Sequence, residues 1–377
     1  MCIYLTGDAM SVRTIILQAK TDDKIRQPMI KSLTSLRGIF ILFIFFHHCL
    51  GLYPGGGTMP VAFFFVLGGF GLTVGYKDKV NSPEFSYKQY LTKRFIKFYP
   101  LHWMCLLAAL PLFLLHLKLN DVPTLALNAA LLQTWVPIED VYFSFNGVSW
   151  YLADTMFFAL VFPFLVKGIV KASATGKALI AVAFAVVYAL VAVLIPVDKY
   201  HAILYISPYV RLTDFVLGIY LALGYMRWKQ EPFRLLENNV FIQGVILAII
   251  VLLVVESSVL SDNARLFAVT YWPLVAMLIV LTSLSEAIFG GYKWLKNKYL
   301  QRLGELSFTI FLVHQLIIRY TRRIIFGKIL HFENNIIFVI LTLCLTIIVS
   351  ILVEKYILKP ITQWLTKRIQ PSMTVRP

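Results

Sequence analysis

The sequence has little charge and little cysteine, and each shortage excludes a class of protein. Only 14% of its 377 residues are charged and 59% are hydrophobic, whereas soluble domains carry about 25% charged residues. The four cysteines are far apart and form no CxxC pair, which argues against a disulfide framework and against a metal site. The sequence also lacks HExxH, Walker, GxGxxG and GxSxG motifs, which would indicate metal, nucleotide or serine-hydrolase chemistry.

Long apolar stretches take the place of these motifs. Each is long enough to cross a bilayer as a helix, the form in which a span satisfies its own backbone polar groups. The predicted fold is therefore an all-α integral membrane bundle of about ten helices. The expected spans are 36–53, 59–76, 98–116, 147–168, 177–196, 204–226, 240–259, 267–288, 303–320 and 335–358.

Acidic residues are scarce, 19 against 35 Lys and Arg, which gives a net charge of +16. The basic residues cluster in alternate loops, with 26 on one side of the predicted membrane and 7 on the other. This bias predicts that both termini are cytoplasmic and relates the charge to topology and anionic lipid, so we expect no nucleic-acid partner. The basic segment 319–328 falls on the outer side. Either the ninth span extends and this segment faces an acidic acceptor, or the count is wrong by one there.

Composition divides the chain into a cytoplasmic segment 1–32, a transmembrane domain 33–361 and a basic cytoplasmic tail 362–377. No internal repeat, low-complexity tract or cleavable signal peptide is evident. Met10 or Met29 could be the true start of translation.

The first predicted span contains ionisable residues, which are costly inside a membrane and tend to mark sites or pathways. Arg37 and His48 are eleven residues apart, so a helix places them about 20° apart around its axis and about 16 Å apart along it. His47 points about 100° away from His48. Ser307 and His314, seven residues apart, share a face of the ninth span in the same way. The alternative is a snorkelling arginine and a hydrogen-bonded core histidine, and for His47 this structural role is favoured.

Two further patterns allow both a structural and a functional interpretation. Gly68 and Gly69 thin the surface of the second span, which suits close helix packing and would equally leave a slot for a slim chain. Arg94 and Lys97 lie one helical turn apart before the third span, where they could flank the membrane or clamp one polyanion. Packing and flanking are the commoner roles of such residues.

The fourth and sixth spans contain polar residues in apolar surroundings. Ser149, Trp150 and Asp154 gather at the start of the fourth span, where an interfacial aromatic belt is the simpler explanation for Trp150. An acid such as Asp154 within a span needs a partner, and Arg211 is a candidate. Arg211 could instead pair with Asp214, one turn away in the sixth span.

Taken in chain order, these elements resemble the acyltransferase-3 family of polytopic membrane O-acyltransferases. The resemblance covers about residues 33–361 and is carried by SLRG…FIFFHHC, GGF, KRFIKFYPLHW, SWYLADTMFFALVFP, RLTDFVLG, LGELSFTIFLVHQ and VEK…KP. Each motif is weak alone, whereas the ordered set is specific. Lys97 stands where the family usually has an arginine, and Asp154 where it usually has a glutamate. Lysine keeps the charge but loses the bidentate geometry of arginine.

The resemblance implies transfer of an acyl group, commonly acetyl from cytoplasmic acetyl-CoA, to a hydroxyl of an extracytoplasmic glycan or glycolipid at a bacterial inner membrane. Because the sequence carries no metal-ligand motif, we expect no metal cofactor. Cations suit the CoA phosphates, and a neutral imidazole suits the proton of the acceptor hydroxyl. The expected site residues are His48 and Asp154 for catalysis, Arg37, Arg94, Lys97, Gly68 and Gly69 for acetyl-CoA, and Trp150, Ser149, Arg211, His314 and Ser307 for the acceptor.

Two other functions would fit a polytopic protein with buried histidines. A transporter or flippase of a polar solute or glycan precursor should show an internal repeat with paired broken helices, and the sequence shows none. A proton-coupled sensor would use His48 and His314 as switches. Consumption of a thioester separates both from the enzyme. Within the enzyme class, the acceptor could also be a lipid or a small molecule.

Overall fold

The computed structural model of the protein describes residues 30–53, 56–113, 121–230, 238–260, 269–330 and 334–369. These residues form helices joined by short loops, with no strand among them, so the all-α prediction is confirmed. Most of the predicted N-terminal segment and the end of the basic tail lie outside the described residues. The α-helices are α1 (Lys31–His48), α2 (Thr58–Asn81), α3 (Tyr87–Phe113), α4 (Val122–Ala129), α5 (Glu139–Tyr142), α6 (Ser149–Lys171), α7 (Ala174–Leu194), α8 (Pro208–Trp228), α9 (Asn239–Leu260), α10 (Trp272–Phe289), α11 (Lys298–Tyr320), α12 (Asn335–Leu352) and α13 (Lys359–Ile369).

The start of α1 is fixed by the end of α10. The Glu286 carboxylate accepts hydrogen bonds from the backbone N–H groups of Lys31, at 2.8 Å, and Ser32, at 2.6 Å. These are donors that a helix leaves unpaired at its first turn, and a negative charge there is favourable. The contact sets the position from which the rest of α1 enters the bundle.

Helices α1 and α11 cross in direct backbone contact, and two glycines permit it. A methyl group added at Gly304 would lie 1.7 Å from the Thr34 carbonyl oxygen. One added at Gly38 would lie 2.7 Å from the Leu300 carbonyl oxygen. Any larger residue at either position would force the helices apart, so this crossing depends on glycine.

Helices α2 and α8 form a second close crossing at Gly69 and Gly218. A methyl group at Gly69 would lie 2.0 Å from the Phe215 carbonyl oxygen, and one at Gly218 would lie 2.0 Å from the Val66 carbonyl oxygen. A methyl group at Gly68 would meet the Phe215 ring at 3.8 Å. The geometry therefore agrees with the packing interpretation for Gly69, whereas a methyl group at Gly68 would make only an ordinary contact. The contact of both glycines with acetyl-CoA stays a prediction.

We expect Gly69→Ala to lower the thermal stability of the purified protein, whereas Gly71→Ala in the same helix should not. The new methyl at Gly69 would meet a backbone carbonyl, and overpacking of this kind costs about 1–3 kcal/mol. At Gly71 no described atom of a neighbouring group lies within 4 Å of the added methyl, and alanine is the better helix former by about 0.5–1 kcal/mol. Unfolding midpoints measured in one detergent check this. Equal midpoints for the two variants would contradict the packing assignment.

Among the described residues, seven helices are long and apolar enough to cross a membrane, or eight if the bent pair Val197–Ile206 and Pro208–Trp228 counts as one span. Helices α1 and α11 are not among them, because both carry charged and polar side chains. Each predicted span nevertheless overlaps a helix of 18 residues or more. The protein is thus a multi-helix membrane protein, while the count of ten and the cytoplasmic termini stay predictions.

The chain breaks just before α8. A short π-helix, His201–Ile206, meets α8 at Ser207, and the two parts of the bent pair are inclined by 46°. Proline disfavours helical geometry in the residue before it, and Ser207, which precedes Pro208, is extended with φ −64° and ψ 126°. Irregular backbone at membrane depth is tolerated where it lines a cavity, and this segment lines one.

Helix α11 continues past Tyr320 as a π-helix, Thr321–Leu330. The helix that contains the predicted ninth span therefore extends further than predicted, as in the first explanation for the basic segment, while the side of the membrane that this segment faces stays a prediction. Arg319 donates a hydrogen bond to the Phe145 carbonyl at 3.0 Å, and Arg323 donates one to the Leu112 carbonyl at 3.2 Å. Leu112 lies in the last turn of α3, where arginine satisfies carbonyls that the helix leaves unpaired.

Candidate active site

Arg37 and His48 both face α11, each against one of the two residues predicted on that helix. Arg37 Nη2 donates a hydrogen bond to Ser307 Oγ at 2.8 Å. His48 Nδ1 lies 3.4 Å from His314 Nε2. The order of these contacts shows that α1 and α11 run in the same direction, as a first and a ninth span should. The shared face of Arg37 and His48 is therefore directed at a neighbouring helix and not at lipid.

A cavity of about 360 Å³ opens beside His48. His47 and His48 line it from α1, Gln315 and Arg319 from α11, and Trp150 from the start of α6. A mostly apolar pocket of this size with a few convergent polar groups is the usual form of a small-molecule site. The remaining lining residues are Ile44, Gly57, Val61, Phe143, Gly147, Val148, His201, Tyr205 and Phe311.

The short π-helix before α8 supplies two of the polar lining groups. His201 and Tyr205 are four residues apart on it, so both side chains reach the cavity. The Tyr142 hydroxyl of α5 lies 3.1 Å from His201 Nδ1. Burial and the nearby Glu139 carboxylate raise the pKa of Tyr142 to about 12, so its hydroxyl stays protonated in this contact.

Three cations gather near the Arg37 end of the α1 face. Arg37 and Arg94 both lie close enough to Lys97 to oppose its charge. The buried Arg94 guanidinium stacks over the rings of Tyr76 and Tyr90, 4.6 and 4.9 Å from their centroids. Lys97 is solvent-exposed. Within the described part of the chain, none of the three cations has a carboxylate within 4.0 Å, so a polyanion would complement them.

The carboxylate predicted for catalysis lies away from the cavity. Asp154 is fully buried in α6, near Thr134 and Arg211. Arg211 forms an ion pair with Asp214 at 3.1 Å, and Trp272 of α10 donates a hydrogen bond to the other carboxylate oxygen of Asp214. The structure thus agrees with pairing inside the sixth span. Neither Asp154 nor Arg211 lines the cavity, so this placement gives no support to their predicted roles in catalysis and acceptor binding.

Trp150 and Ser149 begin α6 but reach different surroundings. Trp150 lines the cavity and packs against the Tyr205 ring at a centroid distance of 4.9 Å. Ser149 is buried and accepts a hydrogen bond from Gln133 Nε2 at 3.2 Å. Of these two predicted acceptor residues, Trp150 is the one placed to touch a molecule in the cavity.

Four polar residues that line the cavity are absent from the predicted site: His201, Tyr205, Gln315 and Arg319. The sequence did contain a signal for Arg319 and Gln315. Arg319 begins the basic segment 319–328, which lies on the predicted outer side against the general bias of Lys and Arg, and Gln315 directly follows His314. The other two depend on the helix break before α8, for which the Ser207–Pro208 pair was a signal inside the predicted span 204–226. Ser307, like His314, contacts α1 and is not a lining residue of the cavity.

Sequence comparison gives an independent indication of the chemistry. A sequence model of the acyltransferase domain family matches residues 30–355, a range that contains every residue of the site described above. Acyltransferase MdmB of Streptomyces mycarofaciens is 28% identical over 292 residues, which are 72% of this chain and 71% of that protein. No solved structure matches the chain.

Proposed function

Because the chain belongs to this acyltransferase family, we propose that it is a membrane O-acetyltransferase that moves acetyl from cytoplasmic acetyl-CoA to a hydroxyl of an extracytoplasmic glycan. The observation that carries the proposal is the placement of Arg37 and His48 against α11, with cations near one and a cavity beside the other. The proposed location is a bacterial inner membrane, with both chain termini in the cytoplasm.

Coenzyme A suits the two ends of this arrangement. Its head is a polyanion, and its long thin arm ends in the thioester. Arg37, Arg94 and Lys97 would hold the phosphates through charge-assisted hydrogen bonds, with Lys97 acting as a point charge. The arm would then follow α1 towards His48, about 16 Å further along the helix axis, and bring the thioester to the cavity.

His48 acts as the general base in this proposal. Its imidazole takes the proton of the acceptor hydroxyl while the hydroxyl oxygen attacks the thioester carbonyl carbon. The tetrahedral intermediate then collapses, the carbon–sulfur bond breaks, and the sulfur leaves with the proton as free CoA. The products are the O-acetylated acceptor and CoA.

In this proposal the acceptor binds in a second cavity of about 390 Å³ beside the first. The two cavities share Phe143 and Arg319. Glu139 and Asp140 line the second cavity, and carboxylates accept hydrogen bonds from hydroxyl-rich molecules such as sugars. A glycan bound there would present one hydroxyl past Arg319 to His48.

Transport of a polar solute is the weaker alternative. Membership of an acyltransferase family favours transfer chemistry. The described residues also contain one bent helix pair, whereas a transporter built from repeats would have matching breaks in both halves. We therefore retain the enzyme as the conclusion.

Release of free CoA tests this function. Purified protein in proteoliposomes is supplied with acetyl-CoA and with cell-surface glycan from a strain that lacks the gene, whose hydroxyls are therefore unmodified. We expect glycan-dependent release of the CoA thiol and a matching gain of ester on the glycan. Movement of glycan across the membrane without consumption of the thioester would overturn the proposal.

A further inference from the structure

His48 has two ring nitrogens, and its surroundings decide which of them carries the proton. Nδ1 lies 2.9 Å from the carbonyl oxygen of Ile44, one turn earlier in α1, and 3.4 Å from His314 Nε2. A carbonyl oxygen only accepts hydrogen bonds, whereas an imidazole nitrogen accepts when bare and donates when protonated. The protonation of His314 therefore bears on that of His48.

The backbone of α11 fixes the protonation of His314. Its Nδ1 lies 2.7 Å from the Phe311 carbonyl oxygen and 3.1 Å from the Ile310 carbonyl oxygen. Both oxygens are acceptors, so Nδ1 carries the proton. A neutral ring protonated on Nδ1 has a lone pair on Nε2, and this nitrogen is the one beside His48 Nδ1. His314 is fully buried and absent from the cavity lining, so it does not contact the acceptor there.

We propose that His314 is a positioning residue that sets the tautomer of His48. With the Ile44 oxygen and His314 Nε2 both acting as acceptors, His48 Nδ1 carries the proton. Its Nε2 is then bare, and because His48 lines the cavity, the lone pair that a general base needs is available there. In the opposite tautomer, the lone pair on His48 Nδ1 would face the lone pairs of the Ile44 oxygen and of His314 Nε2. This repulsion is unfavourable in partly buried surroundings.

The same contacts stabilise the charge that forms during the reaction, a step that rests on the proposed function. As the acceptor oxygen bonds to the acetyl carbon, its O–H bond breaks and the proton moves to His48 Nε2. The ring is then an imidazolium, whose Nδ1–H donates charge-assisted hydrogen bonds to Ile44 and His314. When the carbon–sulfur bond breaks, the Nε2 proton goes to sulfur and the ring regains its starting tautomer. His314 neither gains nor loses a proton.

Two substitutions of His314 separate this role from a purely structural one. His314→Gln keeps an acceptor oxygen where Nε2 lies. His314→Asn keeps a donor for the Phe311 carbonyl but leaves no acceptor beside His48. We expect His314→Asn to lower kcat for acetyl transfer by about 10- to 100-fold, part of the ~10²–10⁴-fold typical of general-base help. The KM for acetyl-CoA should not change, and His314→Gln should recover most of the loss. Equal losses in both variants, or a loss confined to KM, would overturn the proposal.

Nitrogen NMR tests the tautomer without any turnover. Protein labelled with ¹⁵N-histidine reports which ring nitrogen is protonated, and His48→Gln identifies the His48 signals among the seven histidines. We expect a proton on His48 Nδ1 in the native protein and in His314→Gln, and a shift of the proton towards Nε2 in His314→Asn. A proton on Nε2 in the native protein would refute the inference even in an active enzyme. The expected signals in a protein that transfers no acetyl would count against the proposed function alone.

Discussion

His48→Ala protein is expected to transfer acetyl about 10²–10⁴-fold more slowly than the native protein, the contribution typical of a general base. His48 lines the cavity and lies against His314 of α11, so its truncation removes the proposed proton acceptor while the remaining cavity wall stays in place. The loss should fall on kcat, because the cations proposed for the CoA head lie near Arg37, about 16 Å away along α1. Initial rates of CoA release from purified protein measure it.

His47→Ala is the matched control for this substitution. It removes an imidazole from the same cavity at the adjacent position, but His47 points about 100° away from His48 around the helix. The two imidazole rings form a T-shaped pair with a centroid distance of 5.0 Å. We expect a much smaller loss of kcat. Near-native turnover in His48→Ala, or an equal loss in His47→Ala, would end the assignment of His48 as the base.

Arg37→Ala is expected to raise the KM for acetyl-CoA by about 10- to 100-fold, since a hydrogen bond to a charged group contributes about 1.5–3 kcal/mol. The guanidinium is held by Ser307 and, among the described residues, meets no carboxylate within 4.0 Å, which leaves it available to phosphate. Arg37→Lys should lie between the native protein and Arg37→Ala, because lysine keeps the charge without the two-pronged geometry. Steady-state kinetics and titration with free CoA check both variants.

Lys171→Ala separates a site effect from a general charge effect. Lys171 is an exposed residue at the end of α6, so the substitution removes the same unit of charge from the surface. We expect its KM for acetyl-CoA to match the native value. If Lys171→Ala weakened acetyl-CoA as much as Arg37→Ala does, the cations around α1 would be no binding site.

The relation between Arg37 and His48 could be predicted from the sequence because it is internal to one helix. Eleven residues fix the angle and the separation of two side chains on any α-helix, whatever packs around it. The same holds for Ser307 and His314. Spacing does not say which two faces meet, and here the structure sets each residue of the first pair against one residue of the second.

Spacing along the sequence could not decide whether Asp154 and Arg211 pair with each other. Each is a charged residue inside an apolar span and so needs a partner, but a sequence gives no distance between helices. The carboxylate of Asp214, one turn from Arg211, supplied the ion pair locally. His201 and Tyr205 reach the cavity because the chain bends by 46° before α8, a tertiary feature that hydropathy does not encode.

The difference between the ten predicted spans and the seven helices that are apolar enough to cross a membrane has a related cause among the described residues. Helices α1 and α11 carry the residues at the centre of the site, and these polar groups reduce their apolarity below that of the seven candidate spans. Close packing at Gly38 and Gly304 brings these two helices into backbone contact with each other. Hydropathy is therefore least informative for the helices that carry the site.

The most direct test of the central claim is a cryo-EM structure of the protein with a non-transferable thioether analogue of acetyl-CoA. We predict that its phosphates lie beside Arg37, Arg94 and Lys97 and that its acyl end enters the cavity next to His48 Nε2. A head group bound away from these three cations, or an acyl end that does not reach the His48 cavity, would contradict the account.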